Sequence, residues 1–302
     1  MIKTLSFKTH EIAEYISWSY FFYAWGLSAK YATIANVHNC QACISSWIDS
    51  FPTSEDKLRA KEAVSLYKDA IEILNEVDGK FDYQGRFGIF EANSKGDDII
   101  VYRENNIVSI PCLRQQYSHS AGKECLCLAD FIMPLEMGKH DKIGVFVSSN
   151  AKEMEELYPS DNYKHMLCQT LSERLAEAGT ELMHALIRRN YWGYAKNENL
   201  STSDILKGKY QGIRPAVGYP SLPDQSVIFI LDKLIDFSKT GVTITETGAM
   251  HPHASTCGLI FAHPQARYFN VGIIGKDQLR DYSIRRNIPL EQAKEFLSAN
   301  IV

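Results

Sequence analysis

The sequence predicts an α+β fold: a single domain with a twisted, largely antiparallel sheet flanked by helices. Three observations carry this reading. Short aromatic and β-branched runs, bounded by turn residues, are mixed with well-patterned amphipathic helices. The two kinds of segment do not follow the strict β-α alternation of a doubly wound sheet. The sequence also lacks a G-x-G-x-x-G run and a Walker A loop, which ordinarily open a doubly wound nucleotide fold. With 302 residues, 45% of them hydrophobic, the chain can bury one large core or two modest ones. Residues 1–302 are read as one unit, with residues 1–80 mostly helical and residues 81–302 mixed. No internal repeat or low-complexity tract interrupts it.

The elements follow in order. Residues 11–31 read as helical and crowded with aromatics, among them Tyr15, Trp18, Tyr20, Phe21, Phe22, Tyr23 and Trp25. Such a stripe is more often core than a cofactor site. Thr53 and Asp56 resemble a capping box ahead of a helix whose apolar positions are Leu58, Val64, Tyr67, Ile71, Leu74 and Val77. Residues 85–92, 98–103 and 142–149 read as strands, the first two joined through a turn at 94–97. Residues 161–189 form the strongest helix. Leu167, Leu171, Leu175, Leu182 and Leu186 mark one face, and Glu173, Glu177, Glu181, His184 and Arg188 another. Residues 191–224 are rich in Tyr, Gly and Pro, and an irregular stretch of that length inside a domain is usually functional. Further strands are expected at 242–245, 257–262 and 268–274, and around Cys125 and Cys127. Helices at 276–286 and 290–298 close the chain, the second started by Pro289.

Composition excludes several classes. Charged residues make up 23% of the chain and the formal net charge is −4, so there is no basic footprint for nucleic acid. No apolar run reaches the ~18 residues of a membrane helix, and the first residues lack a signal-peptide layout. The cytoplasm is the expected compartment. Seven cysteines, an odd count, fit reduced thiols better than a disulfide framework. Cys40 and Cys43 form one C-x-x-C, but no second pair matches it. A zinc site there would need His38 or a distant ligand, and no metal is expected.

Two clusters could carry chemistry. In Gly212-Ile213-Arg214-Pro215-Ala216-Val217-Gly218-Tyr219-Pro220, the prolines restrict the backbone and Gly218 permits close approach or positive φ. Arg214 offers a fork of donors for a carboxylate or phosphate, and Tyr219 a flat face. This suits the amino-acid end of a flat heterocyclic ligand; it equally suits a rigid turn holding a salt-bridged arginine. In Thr245-Glu246-Thr247-Gly248-Ala249-Met250-His251-Pro252-His253-Ala254-Ser255, the two histidines could ligate a metal or simply flank a kink. No third ligand stands at an obvious spacing.

At this point a resemblance becomes specific. R-P-A-x-G-Y-P, then T-E-x-x-A-M-x-P-x-A-S-x-x-G, then H-P-x-A-R-Y-F resemble the C-terminal activation domain of cobalamin-dependent methionine synthase. Residues 18–25, 96–99, 113–116, 127–131, 161–163, 174–178 and 191–194 agree in the same order. The resemblance implies a domain that binds S-adenosylmethionine in a shallow groove. Its methyl group, with one electron from flavodoxin or a similar reductase, returns inactive cob(II)alamin on a neighbouring cobalamin-binding domain to methylcobalamin. It implies Arg214 at the ligand carboxylate, Ala216 in backbone contact, Gly218 at a close approach and Tyr219 and Tyr268 flanking the ligand. It also implies acidic contacts from Asp130 and Glu177. Only the resemblance separates Glu177 from Glu173 and Glu181.

Met250, His251, Pro252, His253, Ala254 and Ser255 would face the cobalamin partner. There the sequence departs from the family, with His251 in place of a familiar tryptophan and His253 in place of a glycine. Residues 36–53, which carry the C-x-x-C, read as an insertion. The sequence has no D-x-H-x-x-G cobalamin motif and no paired-cysteine homocysteine site. Cobalamin is therefore expected only through a partner, and the chain by itself should not make methionine. A non-catalytic S-adenosylmethionine sensor or adaptor, docking on a corrinoid protein, is the alternative.

Overall fold

The computed structural model describes residues 1–104, 106–117 and 124–301. In chain order the elements are β1 (Ile2–Lys8), α1 (Thr9–Ile12), α2 (Trp18–Ala24), α3 (Gln41–Asp49) and α4 (Ser54–Val77). β2 (Asp82–Lys95), β3 (Asp98–Arg103), β4 (Asn106–Pro111) and β5 (Asp141–Ser149) follow. Then come α5 (Lys152–Glu155), α6 (Asn162–Leu186), α7 (Thr202–Leu206), α8 (Ile228–Ile235), β6 (Thr243–Ile244), β7 (Met250–His251) and β8 (Ser255–Ile260). α9 (Lys276–Arg286) and α10 (Leu290–Phe296) end the fold.

The main sheet is antiparallel throughout, in the order β4-β3-β2-β5-β8. β2 is long enough to serve two neighbours on one side. Its first half pairs with β1 from Ile2↔Gly88 to Lys8↔Asp82, and its second half pairs with β3. The strand period of two sorts the core. Tyr83, Phe87 and Ile89 of β2, with Phe146 of β5, pack among the helices α4 and α6. Phe90 and Ala92 of β2, with Ile143, Val145 and Val147 of β5, pack on the opposite side against Ile228, Leu231 and Leu234 of α8. The result is a helical layer, a sheet, and a thinner second layer.

The capping reading is realised in α4, where Thr53 Oγ1 accepts from the Asp56 amide at 3.0 Å. The aromatic stretch 11–31 is broken rather than one helix. Short 3-10 turns at Ala13–Tyr15 and Ala29–Asn36 flank α2. The breaks let Trp18 meet both Phe21 and Tyr67 edge-on at 5.2 and 4.7 Å.

Other expectations need correcting. β1 and β4 were not foreseen, and β1 ties the mostly helical first part into the sheet. Residues 268–274 are not a strand, because their amides are taken by a loop: Phe269 N–H donates to Ser221 Oγ and Val271 N–H to the Pro220 carbonyl. Around Cys125 and Cys127, among the described residues, a single bridge forms, Arg114↔Cys127, before a 3-10 turn at Leu128–Phe131. The strand expected at 242–245 shrinks to the two residues of β6, paired with β7. Among the described residues no helix is long and apolar enough to cross a membrane.

Candidate functional site

The site is built on α6. Residues four and three apart lie along one side of a helix, so Glu177, Glu181 and His184 form a single stripe, which Arg188 extends from the π-helical turn Ile187–Tyr191 after α6. The rotation of α6 about its axis is set from below. Thr180 Oγ1 lies 3.2 Å from the Tyr83 hydroxyl and 2.6 Å from Ser148 Oγ, all buried against the sheet. The stripe's C-terminal end holds down the long irregular segment that follows. Arg188, fully buried, makes a two-pronged ion pair with Glu198 at 2.9 and 2.7 Å and lies 4.1 Å from the Tyr210 ring. His184 packs edge-on to the same ring at 4.9 Å. Burial, then the nearby charges of Arg188 and Arg214, pushes its pKa well below the usual histidine value, so the imidazole is neutral.

Residues 213–217 then run antiparallel along the free edge of β8. The Val217 amide donates to the Cys257 carbonyl, Leu259 N–H to the Pro215 carbonyl and Phe261 N–H to the Ile213 carbonyl, at 3.0, 3.0 and 2.9 Å. This approach requires Gly258: a Cβ there would sit 2.2 Å from the Pro215 carbonyl oxygen. Register delivers Arg214 to the stripe on α6, where Nη2 meets Glu181 Oε1 at 2.5 Å. The Arg214 amide donates to the Tyr268 hydroxyl at 2.9 Å.

Between α6 and this loop lies a cavity of about 550 Å³. Its lining includes Tyr20, Glu177, Glu181, Arg214, Ala216, Tyr219, Thr256 and Tyr268. The volume is within the ~300–1,000 Å³ range of small-molecule sites. Two tyrosines at its mouth present open faces, Tyr219 at 60% and Tyr268 at 57% exposure.

The electrostatics of the floor are specific. Burial works against the charge of Arg214, but the Glu181 carboxylate beside it outweighs that and holds the guanidinium ionised. Burial raises the pKa of Glu177, with Arg174, 2.8 Å away, and Arg214 opposing the rise. Among the described residues six buried side-chain polar atoms have no partner, and two of them, Arg214 Nε and Glu181 Oε2, belong to this ion pair. An unpaired donor and an unpaired acceptor side by side are what a ligand carrying both a carboxylate and an ammonium group would satisfy.

Most of the site residues read from the sequence converge here. Arg214, Ala216, Tyr219, Tyr268 and Glu177 line the cavity. Gly218 does not: it holds φ at +84° in the turn that returns its amide to the Leu222 carbonyl. Its α-carbon faces Gln225 rather than open ligand space.

Asp130 stands apart from these residues. It lies outside the lining, gripped by both ends of the Arg114 fork at 2.8 and 2.7 Å, and it accepts from the Cys127 amide at 2.8 Å. These contacts shape the 3-10 turn. Glu181 takes the acidic place beside Arg214. The sequence placed it on the same helix face but could not rank it. Tyr20, read as part of a core stripe, is instead 64% exposed and lines the groove. Thr256 carried no sequence signal.

The loop from Met250 to Ser255 adjoins the groove. A shallower depression lined by Met250, His253, Ala254 and Ser255 shares Glu177, Tyr219 and Thr256 with the main cavity. Pro252 and Ala254 are buried, whereas His251 and His253 are exposed, with ring centroids 5.0 Å apart. Glu155 fixes the loop by accepting from the Ala254 amide at 2.6 Å.

Outside this region, His38, Cys40 and Cys43 stand together. Hydrogen bonds from Cys43 and His38 lower the Cys40 thiol to about 6, while the Cys43 thiol is raised by its neighbour Cys40.

An antiparallel α+β domain with a cavity of this charge pattern at its sheet edge lies outside the doubly wound nucleotide folds. Over residues 8–287 the sequence matches the family described as vitamin B12 dependent methionine synthase, activation domain, and the chain belongs to that family. Its structure is similar to the crystal structure of the MetH reactivation domain bound to AdoHcy, with a TM-score of 0.87 and 33% sequence identity. That likeness covers 100% of this chain and 90% of the other.

Proposed function

We propose that this domain binds S-adenosylmethionine in the groove and supplies its methyl group to cobalamin held by a partner domain, reactivating cobalamin-dependent methionine synthase. The observation that carries the reading is Arg214 with its unpaired Nε, set beside Glu181 and Glu177 between the open faces of Tyr219 and Tyr268. The fork suits the ligand's carboxylate, the carboxylates its ammonium group, and the tyrosines its flat purine. AdoHcy, bound by the similar MetH domain, is what S-adenosylmethionine becomes once its methyl group has left.

A sulfonium is already an activated methyl donor, so the site needs positioning more than proton transfer. The absence of an acid–base dyad among the lining residues fits that demand. Arg214 and the two glutamates anchor one end of the ligand, and the sulfonium methyl is left toward the open side. There, Met250, His251, Pro252, His253, Ala254 and Ser255 form the rim presented to the partner. The substrate is cob(II)alamin; one electron, from flavodoxin or a similar reductase, together with the methyl cation yields methylcobalamin and leaves S-adenosylhomocysteine.

The test is a metal-free calorimetric titration with S-adenosylmethionine and S-adenosylhomocysteine. Transfer of a labelled methyl group to a cob(II)alamin-loaded partner under reduction follows. Binding at one site with stoichiometric transfer is expected. Binding without transfer would instead favour a sensor or adaptor, and no heat with either ligand would overturn the proposal.

A further inference from the structure

We propose that His38, Cys40 and Cys43 form a binding site for one thiophilic divalent cation of the zinc type, which staples the chain at the start of α3. The site is independent of the groove and shares no residue with it.

The case begins with placement. The three potential ligand atoms, one imidazole nitrogen and two thiol sulfurs, all lie within 4.8 Å of one another. Among the described residues no other three His, Cys, Asp or Glu side chains are brought so close. A tetrahedral zinc ion with Zn–S of about 2.3 Å and Zn–N of about 2.0–2.1 Å needs ligand atoms roughly 3.4–3.8 Å apart. Small side-chain rotations would close the remaining gap, and exposed His38 is free to make them.

The backbone is already arranged as a ligand-bearing knuckle. The Cys40 amide donates to the His38 carbonyl at 2.9 Å, so the chain doubles back between these two residues. Cys40 is the N-cap of α3, and its Sγ accepts from the Cys43 amide at 3.3 Å. An amide donating to sulfur stabilises a thiolate, which is the form that ligates a metal. The donor set of two sulfurs and one imidazole selects a borderline-soft cation over magnesium or calcium. A water or small anion would complete the tetrahedron.

A disulfide between Cys40 and Cys43 is the competing use of the same thiols. It has no use for His38, and the convergence of His38 on both sulfurs is what favours the cation.

The physical role follows from how little else holds this segment. α3 is nine residues long and buries only Ile44, and a helix this short is marginal without tertiary support. Its other anchors are the Trp47–Phe51 ring contact, a hydrogen bond from Trp47 Nε1 to Thr33 Oγ1 and an exposed ion pair of Asp49 with Lys57 at 3.0 Å. A cation bridging residues 38, 40 and 43 would add its binding free energy to the folding of this segment.

The experiment uses the full chain, reduced and stripped of metal, with cobalt(II) as the probe under anaerobic conditions. One equivalent should give intense tetrahedral d–d absorption and a thiolate-to-cobalt charge-transfer band, and zinc should displace it. Cys40→Ser/Cys43→Ser should abolish the band, and His38→Ala should weaken cobalt binding at least about tenfold. Zinc should also slow amide exchange across residues 38–49 in the wild type but not in the double variant. S-adenosylhomocysteine titration, expected to be unaltered in every variant, reports that the fold is intact. The proposal is overturned if reduced protein with both thiols free to a thiol reagent gives no charge-transfer band. A band that survives in Cys40→Ser/Cys43→Ser, or cobalt affinity indifferent to His38→Ala, overturns it equally.

Discussion

Replacing Arg214 by alanine should separate the two things that this side chain does. Its guanidinium and the Glu181 carboxylate are 14% and 18% exposed and 2.5 Å apart. Removing one partner of a buried pair strands the other charge and costs about 3–5 kcal/mol. The groove lets water reach Glu181 once the arginine is gone, so a loss nearer 2–3 kcal/mol is expected for Arg214→Ala. At roughly 2–4 °C per kcal/mol for a chain of this order of size, the melting temperature should fall by about 4–12 °C.

Ligand binding should weaken by about 1.5–3 kcal/mol, the loss of a charge-assisted hydrogen bond. That is a factor of roughly 10–150 in Kd. The double variant Arg214→Met/Glu181→Gln distinguishes structure from binding. It removes both charges at similar volume, so stability should return to within about 1 kcal/mol of wild type, because well-packed neutral groups replace buried ion pairs at little cost. Affinity should stay lost. Chemical denaturation and calorimetry with S-adenosylhomocysteine measure the two quantities on the same samples. If Arg214→Ala keeps its affinity within about twofold, or if the double variant regains affinity along with stability, Arg214 is a strut of the fold and does not hold the ligand.

Further expectations follow from neighbouring residues. Gly258→Ala should cost about 3 kcal/mol or more, the upper end of overpacking, because its new Cβ meets Pro215 and Ala216 backbone rather than a side chain that can swing away. Denaturation midpoints and the loss of ligand binding would show it. Gly218→Ala, strained at φ +84° but opposed by the Gln225 side chain, should cost only a little over ~1 kcal/mol. For Glu177 the folded pKa lies above the ordinary value, so its ionisation opposes folding. That penalty is absent below the unfolded pKa and fully present above the folded one. Glu177→Gln should therefore gain stability relative to wild type as pH rises from 4 to 7, while binding S-adenosylmethionine more weakly. A widening stability deficit over that range would contradict it. His251→Ala/His253→Ala should weaken docking of the cobalamin partner and leave S-adenosylmethionine affinity unaltered in titrations; the reverse pattern would place the loop on the wrong surface.

Much of the frame was readable from local pattern. The Thr53 cap and the apolar spacing behind it specify α4, and short aromatic and β-branched runs between turn residues pick out β3 and the middle of β2 and β5. These signals are local, since a side chain's direction follows from helical or strand period alone. β1 escaped because it is largely exposed and its partner β2 lies more than 70 residues on, and β4 because its first residues are exposed and carry no clean alternation. The extended run at 268–274 has a strand's composition, yet its amides found Ser221 and Pro220 instead of a ladder. Composition reports that a segment can extend; it does not report which groups answer its hydrogen bonds.

The same division runs through the site. By itself the sequence determined the chemistry on offer: a proline-framed arginine loop, a helix face carrying three glutamates, and motifs that place the chain in its family. The tertiary structure decided which of those groups meet. Glu173, Glu177 and Glu181 are equivalent by helical spacing. Only the seating of Thr180 against Tyr83 and Ser148 turns α6 so that Glu181 reaches Arg214, 33 positions along the chain. Asp130 is set outside the cavity's lining because Arg114, 16 positions back along the chain, binds both its oxygens. A carboxylate's role depends on which cation the packed core puts beside it, and that is set by contacts far apart in sequence, where no local period reaches.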